Sequence, residues 1–385
     1  MIPRTEGLPV AKMSCALVEQ LQDIPDPRRQ CRNLKHPLAD ILLLGFCGTL
    51  AGCDDFVEIA AWAHLHLDFF HTFLQLPHGI PSHDTFRRVF TAIRPGALQA
   101  VLLAWLHQRR GGSGELVHID GKAMRRTRRA SQQLGALHVV SAWASEAGLT
   151  LGQVAVDAKS NEITAIPQLL ELLDLREKVV TIDAAGCQKD IAAAIVEGGG
   201  DYVLAVKDNQ PTVHAEIVAA FAAAAATVPT ARQQSLTEEN GHGRQERRTV
   251  RVLPAAKHLS QLAAWVGLLT LVMVVRVVTC VATGEQTTEV RYFISSLRPD
   301  ARRLGRAIRG HWGIENGLHW VLDVVFREDA RRIYERTAAE NVALLNRLAL
   351  SVLRGDSSKG SLKVKRKRAG WNIQYLAQLL GFPSS

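Results

Sequence analysis

The 385-residue chain has little of what would mark a secreted or membrane-embedded protein. Its six cysteines, at 15, 31, 47, 53, 187 and 280, form no C-x-x-C pair and no Cys/His cluster of zinc-finger spacing. That pattern fits a reduced, cytosolic protein and excludes a disulfide framework. The first residues, MIPRTEGLPVAKMS, lack the apolar centre of a signal peptide. Two apolar runs fall short of a membrane span: ILLLGFCGTLAGC (41–53) is too short, and VGLLTLVMVVRVVTCVA (266–282) carries Arg276 near its middle. A buried helix is expected for the first, and a buried strand or strand pair for the second. Acidic residues are the scarcer charge, 37 against 46 basic, for a net +9 and a pI near 9.4. A surplus of that sign suits a polyanionic partner. With 47% apolar residues the chain can bury a sizeable core, and wholesale disorder is excluded.

The first hundred or so residues have helical periodicity. HPLADILLLGFCGTLAG sets Pro37 at a helix start, DDFVEIAAWAHLHLDFFHTFL places acids in its first turn, and IPSHDTFRRVFTAI offers Ser82 as an N-cap. The Gly-rich RRGGSGE (109–115) is a boundary signal, so a helical domain is expected over 1–112. The pattern then changes. ELVHIDGK (115–122), LHVVSAWASEAG and LTLGQVAVDAK are three strands, the last two joined by Ala147-Gly148 and expected to be antiparallel. An amphipathic helix (161–175), a strand ending in Asp183, a second helix and the strand DYVLAVKDN follow. The order β-β-β-α-β-α-β implies an α/β fold, a mixed sheet with helices on its faces. Residues 212 to about 297 are expected to be a β-rich insertion, containing the polar loop RQQSLTEENGHGRQ and three strand-like runs. Helix resumes from Ala301 through Arg354, and 355–385 is expected to be a basic linker, KGSLKVKRKR, followed by a short amphipathic tail.

Asp120 and Asp183 each end an apolar strand and precede a small residue. Carboxylates at neighbouring strand ends converge, and two of them repel unless a cation lies between. Oxygen donors of this kind suit Mg²⁺ or Mn²⁺. The alternative is a turn cap at Asp120 and a helix start at Asp183. A third acid lies in HWGIENGLHW (311–320), where His311, Glu315 and His319 are spaced four apart, as in a zinc-hydrolase helix. On a straight helix, however, His311 and His319 are roughly 12 Å apart, too far to share one zinc at about 2 Å from each. The two histidines are then expected to be flanking residues, one packing and one facing a ligand, with Glu315 as the residue of interest.

HIDGK (118–122), TIDAAGCQ (181–188), KDNQ (207–210) and HWGIENGLHWVLDVVFREDAR (311–331) together resemble the DDE-type transposases of bacterial insertion sequences, in particular the H-repeat-associated group. DPRR (26–29), HPLADILLL (36–44) and LPHGIPSHDTFRRVF (76–90) are similar to the helical domain that precedes catalysis in those proteins. The resemblance runs from about residue 20 to 350. It implies a ribonuclease-H-like catalytic domain over 113–354 with the β-rich insertion inside it. It also implies that Asp120, Asp183 and Glu315 are catalytic and bind metal, two Mg²⁺ or Mn²⁺ ions that clamp a phosphodiester. The implied partners are double-stranded DNA, at the element's terminal repeats and at the target, and a second copy of the chain in a synaptic complex. No membrane is implied, and the setting is the bacterial cytoplasm at the nucleoid. Many related transposases have a tyrosine, an arginine three on, the glutamate four later and a lysine seven beyond; here these positions hold Ile308, His311, Glu315 and Leu322.

The basic stretch Arg125, Arg126, Arg128 and Arg129 after the first acid is expected to follow phosphates, as are Lys122, Lys207 and His311. The basic run 363–368 is expected to be a solvated tail. Trp312 and Trp320 either stack on an unpaired base or pack in a core. Two other functions remain open on the residues alone: a decayed or domesticated relative that only binds DNA, and a zinc hydrolase.

Overall fold

The structure, a computed structural model, describes residues 16–28, 34–110, 114–128, 135–156, 161–241, 243–260 and 262–382. It opens with helices α1 (Ala16–Gln22), α2 (Leu38–Leu50), α3 (Phe56–Leu65), α4 (Leu67–His71), α5 (His83–Ala92) and α6 (Pro95–Arg110). Strands β1 (Leu116–Met124), β2 (Leu137–Ala144) and β3 (Leu149–Val156) follow. Then come α7 (Glu162–Leu170), β4 (Val179–Ile182), α8 (Lys189–Glu197), β5 (Asp201–Val206) and α9 (Pro211–Ala223). Four strands, β6 (Gln234–Gly241), β7 (Arg244–Pro254), β8 (Thr270–Cys280) and β9 (Gln286–Ser295), lead to α10 (Ala301–Ile314). The chain ends with α11 (Trp320–Val324), α12 (Arg336–Gly355), α13 (Leu362–Trp371) and α14 (Ile373–Leu380). Among the described residues these form two compact units, one drawn from Met1–Gly112, Met124–Leu137 and Val321–Ser385, the other from Ser113–Ala123 and His138–Trp320.

The second unit is built on one nine-stranded sheet of order β3-β2-β1-β4-β5-β9-β8-β7-β6. The β1–β4 and β4–β5 pairs are parallel, while β2–β3, β5–β9 and the pairs beyond are antiparallel, so the sheet is mixed. The antiparallel β2–β3 pairing is the one expected from the turn at Ala147-Gly148. Helix α10 lays Ala301, Leu304, Ala307 and Ile308 across the sheet, against Leu116, Val179, Val203, Val250, Val272 and Phe293. Six strands thus share one helix as a lid over their common core, and the spacing 301, 304, 307, 308 is the apolar stripe that such a helix requires.

The region read as an insertion extends this same sheet through β9. The polar loop expected at 232–245 is in fact largely strand: β6 pairs with β7 along its whole length. A polar edge strand has no apolar alternation to betray it. Its register is supported by charge instead, Glu238 lying opposite Arg247 at 3.6 Å. The 266–282 run forms one strand, β8, not two.

In the first unit, α12 packs against α2, α5, α6 and α13. Every residue of α2 is buried, as its nearly uninterrupted apolar sequence requires. Ser82 caps α5 as expected, its hydroxyl accepting from Thr85 N–H. Glu328 and Arg347 form an ion pair of 3.0 Å with no exposure at either side chain. The expected solvated tail at 363–368 is corrected by α13, in which Lys365 and Arg366 are buried. Arg366 donates to the carbonyls of Thr49 (3.1 Å), Cys53 (3.1 Å) and Val325 (2.7 Å). A guanidinium has five N–H donors in a fixed fork, so it can saturate the open carbonyls past the end of α2. That is why a basic residue is inside.

Asp40 lies in the first turn of α2, is 6% exposed, and has no hydrogen-bond partner at Oδ2 among the described residues. Burial pushes its carboxyl up to about 6, which outweighs the favourable helix N-terminus. Below the ordinary carboxylate pKa both folded and unfolded chains hold the proton and no penalty applies. As pH rises from about 4 through 6, the unfolded chain ionises first and stability falls, by about 3 kcal/mol at full shift. Asp40→Asn should therefore flatten the decline in thermal midpoint between pH 4.5 and 7.5, as followed by circular dichroism. An unchanged decline would show that another group causes it.

Candidate active site

Parallel register sets the two strand-end acids side by side. Leu116 pairs with Val179 and the ladder continues to Ile119 with Ile182; the next residues are Asp120 and Asp183. Side chains alternate along a strand, so Leu116, His118 and Asp120 share a face, as do Val179, Thr181 and Asp183. Leu116 and Val179 sit in the core under α10, which assigns the acids to that side of the sheet. Helix α10 is capped by Asp300, whose carboxylate accepts from the N–H groups of Arg302 and Arg303, and it does not run on regularly. Residues Glu315–His319 form a π-helical turn before α11 begins.

These elements enclose a cavity of about 300 Å³ lined by Asp120, Asp183, Lys207, His311, Trp312 and Glu315. Asp120, Glu315 and His319 each present a ligand atom, and the three atoms lie within 4.8 Å of one another. His319 Nε2 is 3.2 Å from Asp120 Oδ2, and Gly121 N–H donates to Asp120 Oδ1 at 2.9 Å. Asp183 Oδ1 accepts from the N–H groups of Ala185 (3.0 Å) and Gly186 (3.3 Å). The two aspartates are displaced in opposite directions. Burial works against ionisation of Asp120, but the His319 bond and charge, with His311 and Gly121 N–H, hold it below the ordinary carboxylate value. Burial holds Asp183 above that value, against the Gly186 N–H and reinforced by the charges of Asp120 and Glu162. Such a pair is relieved by a cation between the acids.

A buried polar chain supports His311. Ser145 Oγ, His118 and Thr181 Oγ1 are linked at 2.8 and 2.6 Å, and Thr181 Oγ1 meets His311 Nδ1 at 2.9 Å. Burial, aided by the nearby His311, drives His118 down to about 3, so it is neutral at any ordinary pH. His311 is also lowered by burial. Two glycines permit the close packing. A Cβ at Gly310 would lie 2.9 Å from the His118 ring, and one at Gly121 would collide with the Glu162 carboxylate and the His138 imidazole. The KDNQ segment braces the loop after Asp183: Asn209 donates to the Ala184 carbonyl at 2.5 Å and Gln210 to the Cys187 carbonyl at 2.9 Å. Trp312 lies beneath the guanidiniums of Arg291 (4.2 Å) and Arg276 (5.7 Å).

Of the residues singled out by sequence, Asp120, Asp183, Glu315, Lys207 and His311 all line this one cavity. Lys122 is 7% exposed and is not among the residues that line it. Arg125 and Arg126 are exposed in the other unit, where Arg125 pairs with Asp329 at 3.3 Å; Arg129 lies outside the described residues. Trp320 is 55% exposed. His319 was expected to pack or to face DNA. It is buried, as a packing residue would be, and from its π-helical turn it bonds Asp120. His118 and Thr181 were also missed, although the polar residue two before each acid was a period-2 signal.

The family described as "Transposase DDE domain" matches residues 111–352, and that described as "DDE_Tnp_1-associated" matches 18–106. "Putative transposase YncI" of Escherichia coli O157:H7 is 39% identical over 377 residues, 95% of this chain and 94% of its own. "H repeat-associated putative transposase YhhI" of Escherichia coli K12 is 37% identical over 369 residues, 94% of this chain and 97% of its own. A shorter K12 relative, "Inactive transposase YbfQ", is 38% identical over 73 residues, 19% of this chain and 86% of its own. The chain belongs to the DDE transposase family. Membership implies use of a divalent metal and DNA as partner, and the carboxylates gathered here are the hard oxygen donors such an ion takes. No single helix among the described residues is long and apolar enough to cross a membrane.

Thr181→Val keeps the side-chain shape and removes the hydroxyl between two imidazoles. Leaving buried nitrogens without partners costs about 1–3 kcal/mol each. The variant should lose about 2 kcal/mol in urea unfolding, and a loss below about 0.5 kcal/mol would show that the chain is not a structural support.

Proposed function

We propose that the cavity is the catalytic centre of a ribonuclease-H-like DNA transposase, which cuts and rejoins DNA at the ends of an insertion sequence. The observation that carries this reading is the parallel β1–β4 register, which sets Asp120 beside Asp183 under a helix bearing Glu315. On this reading residues 113–354 are the catalytic domain with the insertion at about 212–297, 1–112 is the associated helical domain, and 355–385 closes the chain. Asp120, Asp183 and Glu315 would hold the metal, two ions of Mg²⁺ or Mn²⁺. When bound, the ions activate the attacking oxygen, water or a DNA 3′-hydroxyl, and steady the departing 3′-oxygen.

The chain's own groups have the remaining tasks. Lys207 and His311, on the cavity wall, contact non-bridging oxygens of the scissile phosphate, and the Thr181 bond at Nδ1 leaves His311 Nε2 as the atom that reaches them. Lys122, and Arg125 and Arg126, which are exposed after β1, contact the DNA backbone. No serine, cysteine or histidine nucleophile is required. The substrates are double-stranded DNA at terminal repeats and at a target, two ends are brought together by a homodimer, and the setting is the bacterial cytoplasm at the nucleoid.

The test uses purified protein, DNA bearing the terminal repeats that flank its gene, and Mg²⁺ or Mn²⁺. Asp120→Asn, Asp183→Asn and Glu315→Gln should each lower cleavage at least about a hundredfold, and chelation should abolish it. Cleavage undiminished by these changes would refute the site. Retention of DNA on a filter should survive all three substitutions and fall steeply with salt. Retention without cleavage by the wild type would instead identify a relative that only binds.

A further inference from the structure

The π turn has a chemical consequence at the metal centre. In a turn closed by i→i+5 bonds, residues four apart project to nearly the same side, so Glu315 and His319 both reach Asp120. His319 is 4% exposed, sits 3.2 Å from Asp120 Oδ2, and its Nδ1 has no hydrogen-bond partner among the described residues. Asp183 lines the same cavity but is not within the tight Asp120–Glu315–His319 group. Asp120 therefore lies between two unlike sets of donors. One, with Asp183, is all oxygen. The other, with Glu315, includes an imidazole nitrogen.

We propose that His319 is a metal ligand, so that the Asp120–Glu315–His319 position takes Mn²⁺ in preference to Mg²⁺. Mg²⁺ demands oxygen donors in near-ideal octahedral geometry and sheds water reluctantly, whereas imidazole suits first-row transition ions. The all-oxygen position shared with Asp183 accepts either ion. The histidine that hydrogen-bonds Asp120 in the metal-free chain would exchange that bond for one to the ion. This inference rests on the metal-centre reading given under Proposed function.

The experiment is a titration of the full-length protein with Mn²⁺, with free ion followed by electron paramagnetic resonance, repeated with Mg²⁺ as competitor. Pulsed resonance on the bound ion then reads coupling to ¹⁴N. The wild type should show directly bound imidazole nitrogen, and so should His214→Gln/His311→Gln, which removes the two other cavity imidazoles. His319→Gln should lose the coupling and weaken one Mn²⁺ position at least about tenfold, with Mg²⁺ affinity changed less than about threefold. If His319→Gln does not fold, the ¹⁴N coupling of the other two proteins decides. Mn²⁺ binding that Asp120→Asn abolishes but that shows no ¹⁴N coupling would overturn the proposal, leaving His319 as a support for Asp120. Absence of Mn²⁺ binding, or binding indifferent to Asp120→Asn, would overturn the metal-centre reading itself.

Discussion

The parallel pairing of β1 with β4 is the constraint on which the site depends. It sets Asp120 and Asp183 as neighbours at the same end and on the same face of the sheet, where two carboxylates would not choose to be. What surrounds them can be understood as accommodation of that placement. His319 and backbone N–H groups bond to the acids, Lys207 joins the cavity wall from the next strand, and α10 carries a third carboxylate to the opening instead of closing it with an apolar residue. The opposite displacements of the two aspartates show that the chain alone compensates them unequally.

The extended half of the sheet serves the same end by another route. Strands β7–β9 supply Val250, Val252, Val272, Val274 and Phe293 to the core that seats α10, so they fix the helix that presents His311 and Glu315. Arg276 and Arg291 from β8 and β9 cover Trp312 on that helix, with Glu246 and Glu289 as their counter-ions. A region that interrupts the order of the motifs along the chain is therefore continuous with the site in space.

Much of this was legible in the sequence because it was written in local patterns. An apolar run ending in Asp gave each strand end, Ser82 announced the start of α5, and the turn at Ala147-Gly148 gave an antiparallel pair. The unread features depend on partners distant along the chain or on departures from regular geometry. β6 is polar because it is an edge, so nothing in QSLTEENG distinguishes it from a loop until β7 is beside it. Arg366 looks in sequence like the rest of KVKRKR, and the carbonyls of Thr49, Cys53 and Val325 together with the Asp54 carboxylate explain its burial. His319 is buried, as one of the two flanking histidines was expected to be, but its bond to Asp120 joins residues 199 apart and has no signal in the local sequence. The convergence of Asp120 and Asp183 was expected from their strand-end positions and that of Glu315 from the family resemblance, whereas the support of His311 by His118 and Thr181 emerges only from the paired strands.

The π turn also makes the site sensitive to length as well as to chemistry. A π turn accommodates one residue more than an α turn would over the same rise. Loss of any one residue between Glu315 and His319 would let the helix close up regularly, with every remaining residue in place by identity. Glu315 and His319 would then stand three residues apart instead of four, turned by roughly 30° relative to one another and drawn together along the helix axis. A single-codon deletion in this segment is thus a change of geometry at Asp120 that the identities of the three acids would not reveal.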